Sequence, residues 1–131
     1  MKKVKFFVIN SILITIDQIF KYYILINKEN LPNNIINGVL NFTYCENRGI
    51  AFGIGQGGAK IFALMTLLMI IVALIYIAFK FNKLKDLTVF GIALVISGGI
   101  GNLIDRLFRG YVIDYIDFSE IVDFPIFNFA D

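Results

Sequence analysis

The stretch LTVFGIALVISGGIGNLI, residues Leu87–Ile104, decides the fold, because it runs for 18 residues without a charged side chain. At about 1.5 Å per residue, an α-helix of this length crosses most of the roughly 30 Å hydrocarbon core of a bilayer. A helix is also the open-chain structure that satisfies its own backbone hydrogen bonds in lipid. The stretch therefore predicts a transmembrane helix, and the charges that follow it, from Asp105 to Asp117, should lie at the membrane surface.

Two further apolar runs are long enough to span a bilayer. Ile61–Phe79 carries no charge, and Phe6–Ile26 is long enough to span the bilayer and is not followed by the small-x-small cleavage site of a signal peptide. A hydrophobic content of 58% and a mean hydropathy of +0.77 also favour a chain embedded in lipid. Residues 1–131 are thus predicted to form one membrane all-α bundle, with transmembrane helices at about 6–26, 61–79 and 87–104.

Lysines in the short flanks predict the orientation of this bundle. They precede the first helix and fill the turn between the second and third, and such flanks stay in the cytoplasm. The N-terminus is therefore expected inside the cell, with segments 27–60 and 105–131 outside. Apolar and polar residues alternate over Leu40–Tyr44, which predicts a strand and hence a small extracytoplasmic β-sheet.

Composition argues against several kinds of partner and site. A net charge of +2, with lysines gathered beside apolar runs, argues against nucleic acid. Without histidine and with Cys45 alone, the chain lacks the ligands of ordinary zinc sites and the base of most nucleophilic schemes, so we expect no metal and no cofactor. None of the three serines has an obvious lysine partner. The glycine pattern GIGQGG, residues 53–58, lacks the context of a nucleotide-binding loop.

Asp17 and Lys21 are charged residues inside the first apolar run, four positions apart and so on one helix face. Ionisable groups at that depth are costly unless they are paired or face a polar cavity. They could set the position of the helix at the membrane interface, or brace a polar site above them. The sequence leaves both interpretations open.

The outer end of the third helix carries a second polar group. Asn102 and Asp105 are three positions apart and share a face, and Arg106 follows at once. A carboxylate beside a guanidinium should stay ionised, which suits an anchor better than a general base. We therefore expect Asp105 and Arg106 to form a structural brace.

Asp114 has different surroundings, because the alternation in YVIDYIDF places it with Val112 on an apolar face and Asp117 on the other. Such a carboxyl should have a raised pKa, as acid–base catalysis near neutral pH requires. The final residues FPIFNFAD place Asn128 three positions before Asp131. If the two carboxyls converge, they share a proton, and one activates water while the other polarises a carbonyl. This is the chemistry of an aspartic protease.

Five motifs occur in order along the chain: DQIFK at 17–21, NRGIAFG at 47–53, GNLIDR at 101–106, VIDYIDF at 112–118 and FNFAD at 127–131. In order and spacing they resemble the lipoprotein signal peptidases, also called signal peptidase II. The resemblance implies a bacterial inner-membrane aspartyl peptidase that cuts a prolipoprotein signal peptide before its diacylglyceryl-modified cysteine. Its partners would be lipid-modified prolipoproteins and membrane lipids, and its fold four transmembrane helices with a small extracytoplasmic sheet.

The resemblance also implies roles for individual residues. Asp114 and Asp131 would form the catalytic pair. The family chain continues into a fourth helix whereas this sequence stops at Asp131, so we expect an incomplete chain of doubtful activity. Residues that would line, brace or support the site are Asn47, Asn102, Asp105, Arg106, Asn128, Asp17 and Lys21.

A second class of function stays open on the sequence. The chain could be a non-catalytic inner-membrane assembly or transport subunit, whose outer acidic residues bind a partner or cations.

Overall fold

The computed structural model describes residues 2–32, 34–49 and 58–131. Most of them form three helices whose length and hydropathy suit membrane spans. This confirms the predicted fold class of a helical membrane bundle with a small sheet. The helices are α1 (Lys2–Ile26), α2 (Gly58–Lys80) and α3 (Asp86–Phe108), and a 3-10 turn, Phe81–Lys83, joins α2 to α3.

Helix α3 lies between α1 and α2 and contacts both. It continues past Ile104, where the charge-free run stops, to Phe108. The extra turn matters because it places Asp105 within the helix, where its side chain faces α1. A buried apolar cluster fastens the opposite end of the bundle: Phe6, Ile77, Phe81, Val89, Ala93 and Ile96.

Two antiparallel strands cover the end of the bundle at which α3 terminates. Strand β1 (Asn41–Asn47) pairs with β2 (Val112–Asp117), and an irregularity between Phe42 and Cys45 sets Cys45 opposite Asp114. The chain then returns over the sheet, where Ile116 and Phe127 form a bridge. The return directs residues 128–131 back towards α3.

Glycines on α3 allow two other segments to approach its backbone. A Cβ atom on Gly98 would overlap the carbonyl oxygen of Ala130, and a Cβ atom on Gly101 would lie 2.5 Å from Oδ2 of Asp17. These glycines of α3 therefore allow the 128–131 segment as well as α1 to pack against the helix backbone. Position 98 leaves no room for a side chain without moving that segment.

We expect Gly98→Ala to displace Ala130 and to destabilise the protein by about 1–3 kcal/mol, the usual cost of overpacking. Thermal unfolding in detergent would measure the effect. Gly91→Ala is the matched control, because a Cβ atom at this position on the same helix meets nothing within 4 Å. Equal melting temperatures for the two variants would contradict the close approach of Ala130 to α3.

Candidate active site

Lys21 is the centre of a polar cluster that joins α1 to α3. Its ammonium is fully buried and lies 3.0 Å from Oδ2 of Asp17 and 3.1 Å from Oδ2 of Asp105. It donates a further hydrogen bond of 2.8 Å to Oδ1 of Asn102. The three N–H groups of the ammonium thus have three oxygen partners. Of the two interpretations left open by the sequence, this geometry supports a brace beneath a polar site.

Asp105 is bonded through both carboxylate oxygens. Oδ1 pairs with the Arg109 guanidinium, and Oδ2 accepts the backbone N–H of Ile113 at 3.2 Å in addition to the ammonium. The sequence predicts that Arg106 pairs with Asp105, and this is wrong, because the partner in the structure is Arg109. Residues four apart on a helix share a face whereas adjacent ones do not, so Arg109 takes that position.

Arg106 points towards the other side of α3. Its guanidinium lies over the ring of Phe62, 5.9 Å from the centroid. The buried Nε has no hydrogen-bond partner among the described residues. Together with Asp114 and Asn47, Arg106 lines an open cleft of about 600 Å³ between the sheet and α2. The site thus contains a cation with an unused N–H beside an aspartate.

Asp114 lies on β2 with its carboxyl group buried between two amides. Oδ2 accepts a hydrogen bond from Nδ2 of Asn47 at 2.9 Å, and Oδ1 accepts one from Nδ2 of Asn128 at 2.6 Å. Burial raises its pKa above the ordinary 3.8, the two amides oppose that shift, and the charge of Asp131 adds to it. The face predicted as apolar is therefore lined by amide donors, although the direction of the pKa agrees with the expectation.

Asp131 is held by two asparagines. Oδ1 accepts from Nδ2 of Asn102 at 2.7 Å, and Oδ2 accepts from the backbone N–H of Asn128 at 3.1 Å. Asn128 also donates from its side chain to Oδ1 of Asn102 at 3.1 Å. Since the same amide reaches Asp114, a continuous path of hydrogen bonds joins the two aspartates.

The structure gathers eight of the nine predicted site residues into one hydrogen-bonded network, with Arg106 beside it. Sequence reasoning missed Arg109, which the spacing of four from Asp105 would have revealed. It also missed Gln18, which donates to Oδ2 of Asp17 at 3.0 Å and to the carbonyl of Gly101 at 3.2 Å. The eight are Asp17, Lys21, Asn47, Asn102, Asp105, Asp114, Asn128 and Asp131.

Asp117 lies apart from this network, in agreement with its predicted position on the other face of β2. Its carboxylate accepts hydrogen bonds from the Thr43 hydroxyl at 2.7 Å and from the Ser119 backbone at 2.9 Å. These bonds lower its pKa.

The other candidate groups lie in different surroundings. The Ser97 hydroxyl donates to the Leu94 carbonyl, and burial together with Asp114 raises the pKa of the Cys45 thiol, which makes it a poorer nucleophile. The rejected glycine pattern falls outside the described residues except for Gly58. So do the last four residues of NRGIAFG, residues 50–53.

Comparison with known proteins agrees with this architecture. The family model for Signal peptidase (SPase) II matches residues 9–131. The chain belongs to the signal peptidase II family. Membership makes it a membrane-bound peptidase and accounts for the five ordered motifs.

Individual relatives match along most of their length. The lipoprotein signal peptidase of Fusobacterium nucleatum is 43% identical over 123 residues, which cover 92% of this chain and 73% of the relative. The lipoprotein signal peptidase of Streptococcus thermophilus is 42% identical over 132 residues, covering 100% of this chain and 85% of the relative. The sequence similarity therefore includes the helices, the sheet and the 128–131 segment.

Two solved structures of bacterial membrane enzymes, determined by the in meso method, have the same fold. The structure at 2.3 Å resolution superposes with a TM-score of 0.81 at 32% identity, covering 96% of this chain and 77% of the other. The structure at 1.9 Å resolution gives 0.80 at 32% identity, covering 96% and 82%.

Replacing the ammonium should leave the buried carboxylate of Asp17 without a cation and that of Asp105 with Arg109 alone. We expect Lys21→Met to destabilise the protein by about 3–5 kcal/mol, as removal of one member of a buried ion pair does. The double variant Asp17→Asn with Lys21→Met should recover part of that loss in thermal unfolding. Lys28→Met is the control, because Lys28 is exposed over the ring of Tyr44, and its loss should cost about 1 kcal/mol or less. Similar losses for both lysines would contradict the bracing role.

The opposite pKa shifts of Asp114 and Asp117 predict opposite slopes of stability with pH. With its raised pKa, Asp114 contributes stability below 3.8, and that contribution is lost as the pH rises through the folded-state pKa. With its lowered pKa, Asp117 contributes stability above 3.8, which is lost as the pH falls through its folded-state pKa. The measurement is the free energy of unfolding of wild type, Asp114→Asn and Asp117→Asn over a pH series. The difference between wild type and variant should fall with rising pH for Asp114→Asn and rise with it for Asp117→Asn.

Proposed function

We propose that the chain is an aspartyl endopeptidase that removes the signal peptide from lipid-modified prolipoproteins, cutting before the diacylglyceryl-cysteine. Asp114 and Asp131 would be its catalytic pair. The observation that carries the proposal is the shared asparagine: Asn128 donates to one carboxyl from its side chain and to the other from its backbone. One residue thus bonds to both carboxyls, which lie on β2 and in the 128–131 segment.

Charge balance supports a pair that holds one proton. On the α1 side, the charges of the two carboxylates and two cations of the brace cancel. Asp114 and Asp131 then face the single positive charge of Arg106, which interacts with both. One proton on the pair leaves one negative charge, equal and opposite to the guanidinium, and avoids two adjacent carboxylates in a partly buried site.

The mechanism follows from that protonation state. The ionised carboxyl takes a proton from water as the water oxygen attacks the scissile carbonyl carbon, while the protonated carboxyl donates its proton to the carbonyl oxygen. Collapse of the tetrahedral intermediate breaks the C–N bond and re-forms a carbonyl. The proton first taken from water passes to the leaving nitrogen, and a hydroxyl proton of the intermediate returns to the carboxyl that had donated its own. Water is the nucleophile, so the proposal requires no metal and no cofactor.

The position of the pair supports a substrate held at a membrane surface. The aspartates lie where α3 meets the sheet, and the lysine-rich turn between α2 and α3 lies at the opposite end of the bundle. We assign that turn and the N-terminus to the cytoplasm and the pair to the outer face of a bacterial inner membrane. Phe62, Pro125 and Ile126 give the cleft beside Asp114 an apolar wall, which could accept a lipid chain next to the peptide.

The proposal is tested with the protein expressed from its complete coding sequence and reconstituted in lipid. We expect Asp114→Asn and Asp131→Asn each to lower cleavage of a lipid-modified precursor by at least about 10²-fold, the lower range for general acid–base catalysis. Asp117→Asn is the matched control and should cleave at close to the wild-type rate, because the partners of Asp117 among the described residues lie in the sheet and the turn after it.

Substantial turnover by either catalytic variant would overturn the proposed mechanism. Equal handling of lipid-modified and unmodified precursors would instead contradict the proposed substrate. It would then favour the non-catalytic alternative if both aspartate variants also kept full function in cells.

A further inference from the structure

Two asparagines that contact Asp114 have their amide orientation fixed by backbone groups. Oδ1 of Asn47 accepts the N–H of Gly49 at 2.9 Å, and Oδ1 of Asn128 accepts the N–H of Ala130 at 2.8 Å. Rotating either amide by 180° would place an NH₂ group against an N–H group and lose the bond. The NH₂ groups therefore have to face the aspartate.

The third asparagine, Asn102, is oriented by a charge. Its Oδ1 accepts from the Lys21 ammonium at 2.8 Å, and an ammonium offers donors but no acceptor. The NH₂ group of Asn102 must then point away from Lys21, where it meets Oδ1 of Asp131 at 2.7 Å. Among the described residues, Lys21 bonds to Asn102, Asp17 and Asp105, so its influence on Asp131 passes through the amide of Asn102.

We infer that Asn47, Asn102 and Asn128 are one-way donors, which keep the two aspartates as hydrogen-bond acceptors and fix where the shared proton can reside. Each of the four carboxylate oxygens of the pair accepts one N–H from this set. The proton therefore occupies a lone pair that the amides leave free, on the side open to water and substrate. The inference rests on the proposed function of the pair.

A second part of the inference concerns Lys21, which is a positioning residue for Asp131 as well as a member of the brace. Its effect on the pair passes through the orientation of Asn102. Charged and titratable groups around the pair also act on its titration, and any test has to leave them in place or balanced. They are Asp17 and Lys21 on α1, Asp105 and Arg106 on α3, Cys45 on β1 and Tyr115 on β2.

The first test removes a donor to Asp114. In Asn47→Leu the high-pH limb of the pH–rate profile should move to higher pH by about one pH unit. The reason is that two or three N–H bonds can lower a carboxyl pKa by about two units. Asn47 is exposed at the end of β1, so the variant should fold. Thr43→Val is the matched control, because it removes a donor to the non-catalytic Asp117 on the same strand and should leave the profile unchanged.

The second test is a double-mutant cycle on Lys21 and Asn102. Asp17→Asn with Lys21→Met removes one negative and one positive charge together, so the charge balance around the pair is kept. We expect this double variant and Asn102→Leu each to move the profile upward. The variant that carries all three substitutions should show a shift of the pH–rate profile little larger than either alone, because loss of Lys21 and loss of Asn102 act through the same amide. Additive shifts would overturn the positioning role of Lys21.

Infrared titration of the carboxyl C=O band, with Asp114→Asn as reference, measures protonation of the pair without turnover. An upward shift in Asn47→Leu supports the inference even if wild type fails to cleave the lipid-modified precursor, an outcome that would count against the proposed function alone. A folded Asn47→Leu variant whose titration matches that of wild type overturns the inference, whether or not the enzyme is active.

Discussion

The buried ammonium of Lys21 is the interaction on which the rest of the structure depends. A charge removed from water costs several kcal/mol unless oxygen ligands replace the lost solvation. Three such oxygens are available only when α1 and α3 meet in one register, which brings Asp17, Asp105 and Asn102 together. From there Asp105 holds the start of β2 through the N–H of Ile113. Electrostatic contacts thus select one alignment of α1 and α3, whereas apolar packing alone would tolerate several alignments.

Asp114 and Asp117 show how one short strand supplies two carboxyl groups with opposite properties. Asp114 is buried with another carboxyl nearby, so its pKa rises even though two amide donors oppose the shift. Asp117 accepts bonds from a hydroxyl and a backbone N–H at the edge of the sheet, so its pKa falls. The two residues are three positions apart, and an odd spacing on a strand places their side chains on opposite faces of the sheet. Sequence alone distinguished them because this alternation is a local property.

Local properties also account for the other successful predictions: apolar length predicts the three candidate spans, and period-two alternation predicts the strands. The hydrogen-bond and ion-pair partners of the site residues were harder to predict. The sequence pairs Arg106 with Asp105 because the two are adjacent, whereas α3 continues to Phe108 and so places Arg109, four positions on, on the same face as Asp105. The amide donors to Asp114 come from positions 67 and 14 residues away, and no periodicity encodes such contacts. Family motifs indicated the participants, and only the fold revealed their partners.

The close seat of Ala130 on Gly98 has a consequence for biosynthesis. The polar network draws on residues from Asp17 to Asp131, and its final members are held by backbone that docks on α3 where no side chain intervenes. Translation runs from the N-terminus, so residues 128–131 are made after the three helices and both strands. The hydrogen bonds between this segment and Asn102 can form only once it has docked on α3, which makes closure of the network a late step in the maturation of the protein.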